Sequence, residues 1–164
     1  VNKLHALRKH LIDAVPELKR GPEKLLTFVQ DGTIAFARGQ HLSHEYRVDA
    51  QLVVTDYSGS LDTLMIPLLQ WLSRYQPDLE PDEAIRLEAE ILSNQSWDLA
   101  LTVRLTERVV ALVDCDAGTI NAEHRMPAYP IEACPALSWQ LHVKAPGDDD
   151  YRLASEWESP TDGG

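Results

Sequence analysis

The chain has 164 residues, 44% hydrophobic and 25% charged, a balance that predicts a packed core and excludes disorder. A formal net charge of −11 excludes a nucleic-acid binder that depends on counterion release, although an acidic wall would keep passing DNA from sticking. No apolar run approaches the roughly 20 residues of a membrane span, and the charged amphipathic start at Val1–His10 does not read as a signal peptide, which predicts a cytoplasmic product.

The first element is a helix. Leu4, Leu7, Leu11, Ile12 and Val15 recur at three- and four-residue spacing, and Pro16 should end the run. Gly21-Pro22 marks a break, and Leu26 to Phe36 reads as a hairpin turning at Asp31-Gly32. Gly39 to His44 is a polar loop. Tyr46, Val48, Ala50, Leu52 and Val54 then alternate with more polar residues, the signature of a strand with one core face. A turn cluster, Asp56 to Gly59, leads to Ser60, a suitable N-cap, and Asp62 sits favourably in the first turn of the next helix.

That helix, Leu61 to Tyr75, carries the strongest pattern in the chain. Leu61, Leu64, Met65, Leu68, Leu69, Leu72 and Tyr75 form one apolar stripe, with Pro67 expected to loosen a turn. Ile85 to Ile91 and Trp97 to Leu105 then alternate as a long antiparallel hairpin, which Val109 to Val113 extends. From Asp114 to Pro135 no period is sustained, and the segment reads as a long loop. Trp139 to Val143 and Tyr151 to Trp157 form a last hairpin, with Pro146 to Asp150 at its tip. The predicted fold is one α+β domain over 1–158: a mostly antiparallel sheet with an N-terminal helix and one main amphipathic helix packed on one face. A disordered tail is expected over 159–164.

Chemistry is sparse. His41-Leu42-Ser43-His44-Glu45 has two histidines three apart in a loop, unlike the helical H-E-x-x-H arrangement that puts both imidazoles on one face. No nucleophile elbow or phosphate-binding glycine loop is present. Glu88 and Glu90 share a strand face with Arg86, which suits a solvated side better than acid–base work. Asp56, Ser58 and Asp62 lack the ligand density of a calcium loop, and Cys115 and Cys134 have no metal or redox spacing. No catalytic, metal-ligating or cofactor-binding residue is predicted. What stands out is apolar surface: Ile66 points nearly opposite the leucine stripe, and Trp71 falls about 80° to one side of it, beside Pro67. Ile66, Pro67 and Trp71 form a candidate subunit contact, since aromatics anchor interfaces; coverage by the first helix or a loop is the alternative. Asp148, Asp149 and Asp150 form a candidate partner-facing loop.

Several ordered segments carry a family resemblance. Phe28-Val29-Gln30-Asp31-Gly32, Val53 to Gly59, Pro67-Leu68-Leu69-Gln70-Trp71-Leu72, Gln76-Pro77-Asp78 and Asp98 to Arg108 resemble the tail completion protein R (GpR) family of P2-type contractile-tailed temperate phages. The likeness runs from Val1 to Val113; the hairpin around Trp157 fits more weakly, and Asp114 to Pro135 lies outside it. The resemblance implies a tail terminator: a homo-oligomeric ring, hexameric in such proteins, at the head-proximal end of the tail tube. The ring would stop addition of tube and sheath subunits, meet the head–tail connector or neck proteins, and let DNA through its lumen without specific binding. It implies assembly in the host bacterial cytoplasm and then residence in the virion tail. The alternatives are a neck or head–tail adaptor without a capping role and a small enzyme using His41 to Glu45.

Overall fold

Alternating apolar residues on the two central strands give the main sheet one dry face, and three helices supply its cover. The computed structural model describes residues 1–37, 41–80, 82, 84–91, 93–126 and 135–159, with the side chain of Ile91 excepted. Its elements are α1 (Asn2–Ala14), α2 (Pro16–Arg20), β1 (Leu25–Phe36), β2 (His44–Tyr57), α3 (Leu61–Tyr75), β3 (Ile85–Ile91), β4 (Trp97–Asp114), β5 (Thr119–Arg125), β6 (Ser138–Val143) and β7 (Arg152–Glu158). The fold is α+β and its strand pairings are antiparallel, as the patterns predict.

The main sheet runs β1-β2-β4-β3, with β5 also paired to β4, and β6 and β7 form a separate ribbon. Val48, Ala50, Leu52 and Val54 of β2 and Leu99, Leu101, Val103 and Leu105 of β4 are buried. They meet Leu7 and Leu11 of α1, Leu18 of α2, and Leu64 and Leu68 of α3 in one core cluster. The ribbon joins the helices through Trp157, whose indole Nε1 donates to Gln70 Oε1 at 2.8 Å.

Pairing on β4 produces a gap. β2 and β3 both pair with Trp97–Val103 and so flank it on opposite sides. β5 pairs with Arg108–Asp114, and because β2 already occupies one side at Arg108 and Val109, β5 lies on the same side as β3. Among the described residues, no strand lies beside 104–107 on that side. Gln76, just past α3, fills part of the gap: the Thr106 amide donates to Gln76 Oε1 at 3.0 Å, and Gln76 Nε2 donates to Thr106 Oγ1 at 2.7 Å.

Three expectations change, and one gains an addition. Leu25–Phe36 is one strand, not a hairpin, with a bulge between Val29 and Asp31. Asp31-Gly32 serves this bulge because β2 lies so near Gly32 that a Cβ there would sit 2.7 Å from the Arg47 carbonyl oxygen. Pro16 does end the first run, since α1 stops at Ala14 with Val15 extended, and it also opens the unexpected short helix α2 at a position where no amide donor is needed. Asp114 to Arg125 is no loop: Gly118 takes φ +69° and returns the chain as β5, with Asp114 Oδ1 accepting the Asp116 and Ala117 amides at 3.1 Å. Residues 127–134 of the expected loop, and Gly39 and Gln40 of the earlier one, lie outside the described residues. Finally, the buried face of α3 is Thr63, Leu64, Pro67, Leu68, Trp71, Leu72 and Tyr75, while Leu69 is exposed. The covering layer lies on the Trp71 side of the helix, which rotates the buried stripe away from Leu69.

Candidate assembly surfaces

The Ser60 cap forms as its residue type predicts, its side chain accepting the Asp62 amide at 3.2 Å. From that start α3 keeps its register past Pro67, which lacks an amide for the preceding turn. His10 of α1 approaches there, with Nε2 3.0 Å from the Pro67 carbonyl oxygen. A carbonyl only accepts, so Nε2 carries the proton. Burial lowers the His10 pKa, while this bond and Asp13 oppose the shift, so the ring favours neutrality in the fold.

The three candidate contact residues therefore part company. Ile66 is 43% exposed, but Trp71 is 1% exposed and Pro67 is buried. Trp71 packs on Tyr75 with ring centroids 4.9 Å apart. Its indole is a core group of the subunit, which corrects the reading of Trp71 as an exposed anchor; α1 and the β6–β7 ribbon supply the cover. A half-open groove of about 650 Å³ borders it, lined by His10, Asp13, Trp71, Tyr75, Trp139 and Trp157 among others. The exposed face of α3 presents Asp62, Ile66, Leu69 and Ser73 instead.

At the ribbon tip the three aspartates differ. Asp148 Oδ2 accepts the Ala145 amide at 2.9 Å and lies 3.4 Å from Arg152 Nη2, closing the turn in which Gly147 has φ +91°. Asp150 Oδ1 accepts the Tyr151 amide at 2.8 Å. Asp149 and Asp150 are exposed, whereas Asp148 is half-buried. Ser159 is tied to this ribbon: its amide donates to Leu137 O at 2.8 Å, and its Oγ accepts from Trp139 Nε1 at 2.6 Å. Residues 160–164 lie outside the described residues.

The His41–Glu45 segment leads into β2. His44 Nδ1 bonds the Leu42 carbonyl at 2.9 Å and Glu45 pairs with Arg47 at 2.8 Å, so both side chains are engaged locally. Among the described residues no group of three or more His, Cys, Asp or Glu side chains is placed to hold a metal.

The main polar cluster lies elsewhere, at the gap in the sheet. Glu107 is buried; its Oε1 accepts the Lys3 amide at 2.6 Å and its Oε2 the Asn2 amide at 3.1 Å. A strand carboxylate thus caps the first turn of α1, whose own N-cap position, Val1, offers no side-chain oxygen. His124 Nδ1 on β5 lies 2.7 Å from Glu107 Oε2 and donates to it. Burial alone would raise the Glu107 pKa, but the Lys3 and Asn2 amides and His124 hold it below the usual value. Lys3 Nζ donates to Tyr75 O at 2.9 Å and Gln76 Oε1 at 3.1 Å, closing the C-terminal end of α3; burial lowers its pKa despite Asp78 and Glu107 nearby. Sequence reasoning missed this cluster. Glu107 occupies the core-facing frame of β4, between Leu105 and Val109, and that was the available signal.

The polar clusters among the described residues are caps, turn closures and strand fasteners that tie elements together. The chain belongs to the P2 phage tail completion protein R (GpR) family, whose sequence profile matches residues 1–129. It is 36% identical over 162 residues to tail completion protein R of Escherichia phage P2, covering 95% of this chain and 98% of that protein. No solved structure matches it.

Proposed function

We propose that the chain completes the phage tail as a ring-forming terminator at the head-proximal end of the tube. The observation that carries this is its kinship, along nearly its whole length, with a tail completion protein. The fold is compatible with assembly: the sheet has different strands at its two sides, which suits a head-to-tail contact that closes when the rotation allows. In this reading a hexamer caps tube and sheath growth and receives the connector or neck proteins. Its formal charge of −11 keeps the DNA duplex from adhering as it passes. The exposed face of α3 around Ile66 and the Asp149–Asp150 tip are the surfaces proposed for subunit and partner contacts. Host cytoplasm is the proposed place of assembly.

Tail length decides between this role and that of an adaptor. Lysates lacking the protein should contain overlong tails. Tails of normal length that fail to join heads would instead support the adaptor reading.

A further inference from the structure

Among the described residues the sheet has β1 as the free edge on one side and β3 and β5 as edges on the other, and β1 and β3 have matching properties. β1 presents 12 residues of backbone on its outer side, and its only charged residue is Asp31. Among the described residues the one hydrogen bond from outside the sheet to a β1 backbone group is Arg8 Nη2 to Leu25 O, at 3.2 Å. A long edge without lysine or proline lacks two of the usual protections against pairing with another chain, and the bulge between Val29 and Asp31 is its one such device. At the opposite side, β3 exposes a second edge of 7 residues.

Three features make these edges complementary. Polarity is the first: β1 is antiparallel to β2, β2 to β4 and β4 to β3, so β1 and β3 run in opposite directions. Setting β3 of one copy beside β1 of the next continues the antiparallel ladder. The second is unfinished core. Val29 pairs with Ala50 and Leu87 with Leu101, both on the helix-covered face, yet Val29 is 42% and Leu87 46% exposed because each stands at a rim. The third is charge. Matching these two residues across the seam brings Asp31 within a position or so of Arg86, the only cation on β3.

We infer that the subunits of this protein join through edge-to-edge addition of β1 of one copy to β3 of a second copy, with Val29 and Leu87 at the seam. The contact is heterologous, uses unlike surfaces on each subunit, and supplies the lateral contact that the ring reading above requires. It rests on that reading only for the closure of the assembly.

Cysteine trapping tests it. Directly opposed residues in antiparallel strands have Cα atoms about 4.5–5.5 Å apart, within disulfide reach. In the full chain with Cys115→Ser and Cys134→Ser, the pair Val29→Cys and Leu87→Cys should yield a ladder of disulfide-linked oligomers on mild oxidation. Either cysteine alone should yield none. Dimers from Val29→Cys alone would overturn the proposal in favour of a two-fold β1–β1 contact. Separately, Val29→Lys and Leu87→Lys should each reduce the oligomer by about tenfold or more while leaving the circular dichroism spectrum of the folded subunit unchanged. Oligomers that persist in both lysine variants and do not cross-link in the double-cysteine protein would sink the seam but leave the ring intact. A wild-type chain that stays monomeric even with tail tubes would sink both.

Discussion

Glu107 in β4 accepts the backbone amide of Lys3 at 2.6 Å across 104 positions of chain, so the longest strand caps the first helix. The same lysine closes the end of α3 through Tyr75 O. Two helices and the sheet are thus fastened at one buried point, in the stretch of β4 edge that no strand covers among the described residues.

Removing the carboxylate should be costly. Glu107→Ala leaves the Asn2 and Lys3 amides and His124 without their acceptor, and should destabilise by about 3–5 kcal/mol. Glu107→Gln keeps one acceptor and should lose less. Urea unfolding followed by circular dichroism measures both; equal midpoints for wild type and Glu107→Ala would show that the cap contributes nothing.

Acid should act in two stages. His10 has a lowered folded pKa, so below about 6.5 the unfolded chain binds a proton that the fold resists, and stability begins to fall there. Glu107 and Glu17 also have lowered pKa values. Burial would raise that of Glu17, but Ser58, Lys24 and the Gly59 amide outweigh it. Their contribution is complete above the ordinary carboxylate value of about 4.3 and is lost as pH falls through the folded values. Melting temperatures measured from pH 8 to pH 3 should decline in both intervals, and His10→Gln should flatten the first alone.

Trp71→Ala should unfold the subunit, not merely separate subunits. The indole is fully packed, and truncating a buried aromatic of this size costs about 3–5 kcal/mol. Ile66→Ser, on the exposed face of the same helix, should change folding by no more than about 0.5 kcal/mol. Thermal melts and light scattering on both variants separate folding from association. A Trp71→Ala protein with native stability would contradict the packing.

Gly32→Ala should destabilise by about 1–3 kcal/mol, because the added methyl meets the Arg47 carbonyl and neither strand can withdraw without breaking the β1–β2 ladder. Faster amide exchange over β1 than over β4 is the expected signature.

The local patterns were legible. Seven spaced apolar residues and Ser60 located α3 at its observed limits, and alternation located β2, β3, β4 and the β6–β7 ribbon. Periodicity works there because it reports which side chains share a face. It does not report what lies opposite that face. Asp31-Gly32 has the chemistry of a tight turn, yet β2 held the chain straight and made it a bulge. The short strand β5 carried no sustained pattern because its residues are exposed on both faces.

By itself, then, the sequence determined the two long helices, most strands, the acidic charge and the resemblance to a tail completion family, since each depends on residues near in the chain or on their order. Only the tertiary structure decided that Trp71 belongs to the core, that Glu107 is a helix cap, and that Val29 and Leu87 stand at opposite rims of one sheet. Those outcomes depend on which distant element arrives beside each residue, and packing across the sheet fixes that.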